Sequence, residues 1–367
     1  MKVSCTKENL LEGLSIVSHV AGRNATLPIL GNVLLRAERS GMTLITTNLE
    51  VGIQTRVRGK VEEEGQLTIP AGLLTEYVNL LPNDVVTLTT DETTLEIATK
   101  TRTSKVKGMS AEEFPVLPAI ENPHSIEVQS AQLKQAIGQV VFAVASDDAR
   151  PEISGVLLVL HNKECTLVAT DSYRLSERKL TLAKQVDADI RVIIPARTLL
   201  ELSRILTDVG TLHIAVSENQ IRFTVGETEL ISRLIEGQYP DYQQIIPENG
   251  TTTVSVDADL LIQAVRSTSL FCKSGINDVQ FHIEVAKQRL VVQATNTQIG
   301  ESTSVVPIRD VAGDDLTIVF NYRYLLEGLQ SVGAPIVRLS FLDQNSPGVL
   351  RPDEGVPFLA LIMPIKQ

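Results

Sequence analysis

Five histidines, three cysteines and two clusters of carboxylates are the residues with the most chemistry to offer here, and their spacing offers little of it. His19, His124, His161, His213 and His282 form no H-x-x-x-H or H-E-x-x-H pattern, so no pair shares a helical face suited to zinc. Asp147-Asp148 could hold a hard cation between adjacent carboxylates, but the pair follows a helical pattern and precedes Arg150-Pro151, the setting of a polar loop. Glu62-Glu63-Glu64-Gly65 could face a basic partner, yet reads better as a solvated turn between strands. Cys5, Cys165 and Cys272 are odd in number and scattered, which suggests neither a disulfide framework nor a zinc ribbon. G-x-S-x-G, G-x-x-x-x-G-K-[ST] and G-x-G-x-x-G are all absent, so no catalytic residue, metal ligand or cofactor is assigned.

Composition narrows the class. A chain of 367 residues exceeds one ordinary core and suits two or three domains, and 21 % charged with 43 % hydrophobic residues is a globular balance. The net charge of −11 argues against a protein coated in phosphate-binding cations, so any surface facing DNA must be local. The opening Met1-Lys2-Val3-Ser4-Cys5 leads into polar sequence without an apolar signal core, and no apolar run is long enough to span a bilayer; a cytoplasmic protein without membrane partners is expected.

The elements that would position any site recur three times, with a period of about 125 residues. A first helix is expected after Thr6 with Leu10, Leu14 and Val17 on one face, again from Ser130 through Leu133, Ile137, Val140 and Val144, and again from Asp257 through Leu261, Val265 and Thr268, each with a capping residue at its start. Alternating hairpin strands follow at Val33-Leu34-Leu35, Val156-Leu157-Leu158 and Val279-Gln280-Phe281. Second helices open at Pro70-Ala71-Gly72, Pro195-Ala196-Arg197 and Asn321-Tyr322-Arg323, where a proline in the first turn loses no hydrogen bond. The copies close at Phe114-Pro115, Tyr239-Pro240 and Met363-Pro364, which sets three α+β domains at residues 1–121, 122–247 and 248–367. Between Leu342 and Pro357 the third copy carries turn residues in place of a clean hairpin, and an exposed loop is expected. Pseudo-symmetric units in a row form an arc, and two arcs can close by two-fold symmetry.

Four short motifs lie in order on this repeat: Thr26-Leu27-Pro28-Ile29-Leu30-Gly31-Asn32, Thr170-Asp171-Ser172-Tyr173-Arg174-Leu175, Tyr239-Pro240-Asp241-Tyr242 and Met363-Pro364-Ile365-Lys366. Together they resemble the bacterial DNA polymerase III β sliding-clamp family from end to end. The resemblance implies three tandem DNA-clamp domains, each with two helices packed on antiparallel sheets, closing as a head-to-tail dimeric ring of six domains. It implies a non-enzymatic processivity factor that encircles duplex DNA without sequence preference, with basic inner helices under an acidic rim. Arg23, Lys134, Arg150, Arg197, Arg204, Arg266, Lys273 and Arg323, with Lys7, are the cations it would turn toward phosphates. Gly72 occupies the slot of Arg197 and Arg323, so the first domain is expected to grip less firmly.

The resemblance further implies an apolar groove between the second and third domains that takes short linear peptides from polymerases, the clamp loader and repair proteins. Matching positions are Ile153, Thr170, Ser172, Tyr173, Arg174 and Leu175, then Pro240 and Ile245, then Pro347, Leu361, Met363, Pro364 and Ile365. Leu175 and Leu361 taken alone read as core residues. Leu270 and Phe271 match apolar positions of the subunit interface. Two other classes compete: an enzyme whose site is assembled from dispersed carboxylates, and a peptide-binding scaffold that never touches DNA.

Overall fold

Helix positions follow from apolar spacing, and their starts from the caps. In α1 (Lys7–Val17) the Thr6 hydroxyl accepts the Asn9 N–H at 3.3 Å, and Leu10, Leu14 and Val17 are buried. In α2 (Ala71–Asn79) and α4 (Ala196–Ile205), Pro70 and Pro195 end the preceding strands, one position earlier than the first-turn placement expected. The cap expected at Ser130 is not made: Ser130 is already helical in α3 (Ser130–Val140), and its buried hydroxyl has no protein partner among the described residues. α5 (Ala258–Ser269) starts where Asp257 accepts the Leu260 N–H at 2.9 Å, and α6 (Tyr322–Ser331) where Asn321 accepts the Arg323 N–H at 3.0 Å.

The computed structural model describes all residues except 23–26, 122, 147–148, 248–249, 274 and 367, so Arg23, Thr26 and the Asp147-Asp148 pair lie outside the described residues. The chain forms two compact units, residues 1–131 with 197–234 and residues 132–196 with 235–367. The first holds a five-stranded antiparallel sheet, in spatial order Gly59–Glu63, Lys2–Thr6, Val85–Asp91, Thr94–Ala98 and Thr103–Lys107. Its second sheet has eight strands; Thr228–Arg233 there pairs with Val51–Val57, setting Ile231 opposite Gly52. The second unit is built on a twelve-stranded sheet in which Arg174–Thr181 pairs with Phe358–Ile362, setting Leu175 opposite Leu361. The middle repeat thus contributes strands to both units.

Several strand edges stay unpaired among the described residues, and two of them occupy places that are paired in the other repeats. Thr103–Lys107 bonds only to Thr94–Ala98. The strand Gly300–Ala312 pairs with Arg289–Asn296 along residues 300–307, while only residues 308–312 also meet Thr252–Asp257.

The segment from Leu342 to Pro357 corrects an expectation. It contains a strand, Gly348–Pro352, paired on both sides, with Val349 and Leu350 buried. The turn residues close a meander: Asp343 accepts the N–H groups of Asn345 and Ser346 at 2.7 and 2.8 Å, and Arg338 bonds Asp353 at 2.7 Å. Two apolar residues were enough to drive a strand that the surrounding Gly, Pro and Asp concealed. The core of the third repeat centres on Phe320, edge-on to Phe281 at 5.8 Å and tilted against Phe341 at 6.2 Å. Among the described residues, no helix is long and apolar enough to cross a membrane.

Candidate functional site

The residues from Thr170 to Leu175 form a locally bonded loop at the end of one strand and the start of the next. Thr170 donates from Oγ1 to the Arg174 carbonyl at 2.7 Å and accepts the Ser172 N–H at 3.1 Å. Asp171 accepts the N–H groups of Tyr173 and Arg174 at 2.9 and 3.0 Å, and Ser172 takes a φ of 77°. The Thr and Asp side chains replace ladder bonds that this tight return cannot make, leaving Tyr173 63 % exposed. Arg150 joins the loop from outside, donating to Ser172 Oγ at 3.0 Å and to Glu152 at 3.1 Å.

Behind the loop, Arg174 is fixed on four sides. Its Nε donates to Asp171 at 3.0 Å, its Nη1 pairs with Glu327 of α6, and its guanidinium stands 4.5 Å from the Tyr324 ring centre and 5.4 Å from that of Phe142. Burial, and then the Asp171 charge, push the Tyr324 phenol above its usual value. Tyr324, Phe142, Glu327 and Asp171 join the site beyond the residues expected there, and only Asp171, inside the Thr170–Leu175 motif, carried a signal in the sequence.

Ile153, Leu175 and Leu361 are buried and belong to one apolar cluster with Tyr239, Tyr242 and Val349, against which the half-buried Met363 packs. Leu175 and Leu361 are therefore a floor beneath the surface. The Met363 N–H donates to the Tyr173 carbonyl at 2.8 Å, which ties the chain terminus to the loop. Pro240 lies between the clustered Tyr239 and Tyr242; Ile245, 45 % exposed, ends the short helical turn Tyr242–Ile245; Pro347 precedes the strand bearing Val349. Pro364 is half-buried, and the Ile365 N–H is taken by the Val319 carbonyl at 2.8 Å. Tyr242 donates to Glu177 at 2.7 Å; burial first, then that carboxylate, push its ionisation upward. The result is an apolar trough with a flexible thioether, one exposed aromatic and a polar loop, suited to an apolar peptide anchor.

Comparison with known proteins decides the family. Profiles of the DNA polymerase III beta subunit match in order: the N-terminal domain over residues 1–118, the central domain over 127–241 and the C-terminal domain over 243–366. The chain belongs to the DNA polymerase III beta-subunit family, the beta sliding clamps. It is 31 % identical to the beta sliding clamp of Synechococcus elongatus over 373 residues, covering all of this chain and 99 % of that one. The Bacillus subtilis clamp is 28 % identical over 376 residues, and its crystal structure superposes with a TM-score of 0.96, covering all of this chain and 99 % of that one. A Pseudomonas aeruginosa clamp bound to griselimycin gives a TM-score of 0.96 at 29 % identity with full coverage of both chains. The beta sliding clamps are non-catalytic processivity factors of DNA polymerase III, which excludes the dispersed-carboxylate enzyme.

The candidate phosphate-facing cations are distributed over several helices and their ends. Arg197 and Arg204 lie exposed on α4, Arg266 on α5 and Arg323 on α6; Lys273 is exposed beyond α5, and Lys134 is half-buried on α3. Arg204 lies 3.9 Å from Glu201, Lys7 donates to Asn83 at 3.4 Å, and Arg150 is held by the groove loop. Taken together, α1 to α6 carry six cations and six carboxylates, so they are neutral overall, and the chain's −11 resides outside them. Leu270 is 73 % exposed at the end of α5, and Phe271 is half-buried beside Gly300, whose Cβ position lies 3.9 Å from its ring.

His161 pairs with Asp189 at 2.6 Å, His213 with Glu127 at 3.7 Å, and His282 with Thr317 at 2.9 Å; no metal-binding group occurs among the described residues. Glu62 pairs with Lys2 at 2.8 Å within a strand, so the acidic run is only partly a turn.

Proposed function

We propose that two copies of this chain close head to tail into a ring of six clamp domains around duplex DNA in the cytoplasm. In this reading the domains are residues 1–121, 122–247 and 248–367. The carrying observation is that the pairing made twice within the chain is left unmade at Thr103–Lys107 and along residues 300–306. Within the chain, the last meander strand of one repeat pairs with the second hairpin of the preceding repeat twice, at Ile231 opposite Gly52 and at Leu361 opposite Leu175. Extending that rule, Thr103–Lys107 of one subunit pairs with residues 300–306 of the other, with Val106 opposite Gly300 and Ser104 opposite Ser302. Exposed Leu270, Ile299 and Val305, at 73, 60 and 55 %, supply apolar cover beside that edge. Neutral helices fit a ring held by topology, with sparse salt-sensitive contacts from Lys134, Arg197, Arg204, Arg266, Lys273 and Arg323.

The trough around Tyr173 and Met363 receives short apolar peptides, through which the clamp loader, polymerases and repair proteins are tethered. Arg150 acts here, at the groove rim, since its guanidinium is engaged by Ser172 and Glu152. The ring reading is tested by Ser104→Cys combined with Ser302→Cys: oxidation should yield a covalent dimer in good yield, and a protein that stays monomeric under oxidation would refute the pairing.

A further inference from the structure

The groove loop has a twin. In the first unit, Thr47 donates to the Val51 carbonyl at 3.0 Å and accepts the Leu49 N–H at 3.0 Å, while Asn48 accepts the N–H groups of Glu50 and Val51 at 3.0 and 2.7 Å. These are the bonds of Thr170 and Asp171, 123 positions earlier, and Leu49 shares the positive φ, 76° against 77° at Ser172. Beside this twin lies a cleft of about 250 Å³, lined by Leu34, Ile45 and Ile231, walled by Pro115 to Ala119, and bearing Arg36, Arg222 and one carboxylate, Glu229.

Register identifies what has changed. Arg222 lies opposite Ile231, as Val349 lies opposite Leu361; Glu229 lies opposite Gln54, as Leu359 lies opposite Glu177; Arg36 lies opposite Thr43, as Val159 lies opposite Thr166. Gly52 replaces Leu175, and Leu117 fills the space, its Cδ2 being 2.2 Å from where a Cβ would stand. Glu229 accepts from Gln54 at 2.8 Å. Neither Arg36 nor Arg222 has an ion pair among the described residues, and both are half-buried.

From this we propose that the cleft is a second peptide site, selective for an acidic segment carrying one apolar side chain. Carboxylates pair with Arg36 and Arg222, and the apolar group rests on Leu117, which packs over the buried cluster of Leu34 and Ile45. Two half-buried guanidiniums face a single carboxylate, Glu229, which is engaged by Gln54, so the cleft keeps a net positive charge in an acidic chain. A nucleic-acid strand would need a longer track of cations than two arginines beside an apolar wall. The likeness to a peptide site rests on the groove reading, while the test reads different residues, so the failure of one is distinguishable from the failure of the other.

The probe is a fluorescein-labelled pentapeptide of four glutamates around a central leucine, titrated into the full chain. Binding should move the methyl resonances of Leu34, Ile45 and Leu117, weaken about tenfold in Arg36→Glu with Arg222→Glu, and persist in Tyr173→Ala with Met363→Ala. Should the charge-reversed variant misfold, Arg36→Gln with Arg222→Gln gives the same reading. The proposal is overturned by no saturable binding at millimolar peptide, by binding indifferent to the arginines, or by shifts confined to the Tyr173 trough. Displacement of the peptide by oligothymidine with the same arginine dependence would reassign the cleft to nucleic acid.

Discussion

Tyr173 stacks on Tyr324, ring centres 6.5 Å apart and planes 21° from parallel, and the Arg174 guanidinium stands 4.5 Å from the centre of the same Tyr324 ring. One aromatic side chain from α6 therefore steadies both the exposed tyrosine of the groove and the arginine behind it. Tyr324→Ala should lower the stability of the second unit by about 2 kcal/mol and weaken peptide binding severalfold, with Tyr324→Phe near wild type because the contact is made by the ring. Thermal melts and fluorescence anisotropy with an apolar groove peptide read the two effects.

Arg174→Ala leaves Asp171 and Glu327 without their cation, and the side chains of Arg174 and Asp171 are only 11 % and 14 % exposed. Removing one partner of such a pair should cost about 3 kcal/mol. Arg174→Lys should not restore it, since an ammonium cannot serve Asp171, Glu327 and two rings together. Urea denaturation would decide; a loss below about 0.5 kcal/mol would mark these contacts as incidental.

Leu361 and Met363 separate fold from binding. Leu361 is fully buried, so Leu361→Ala should destabilise by about 3 kcal/mol. Half-buried Met363 contributes a flexible surface instead, so Met363→Ala should leave stability within about 1 kcal/mol while lowering peptide affinity about tenfold. Equal effects on both properties in both variants would contradict this division.

The buried thiols set an alkaline limit. Burial pushes Cys5 up to about 11 and Cys165 up to about 12, from an ordinary value of 9.0. A raised folded value favours the native state fully below pH 9, and this contribution is lost as pH climbs, because unfolded thiols ionise first. Stability should be flat near neutrality and fall above pH 9 by about 1.4 kcal/mol per pH unit for Cys165 alone. Cys165→Ala should make that slope shallower, as denaturation midpoints across pH would reveal.

Much of the fold was legible because its signals are local: Leu10, Leu14 and Val17 read directly as the buried stripe of α1, and Thr6 as its cap. Ser130 misled because a hydroxyl at a helix start looks like a cap whether it precedes the helix or lies inside it. The strand from Gly348 to Pro352 was hidden because Val349 and Leu350 are too short an apolar run to outweigh the turn residues around them. Within the site, the loop from Thr170 to Leu175 could be read from its motif. Tyr324 and Glu327 could not, because their meeting with Arg174 joins residues some 150 positions apart.

The most direct test of the clamp reading is topological. Loaded by a clamp loader and ATP onto nicked circular DNA, the protein should remain bound through high salt and be lost when the circle is cut. Release by salt from circles and linear DNA alike, with the loader active on a control clamp, would contradict the ring.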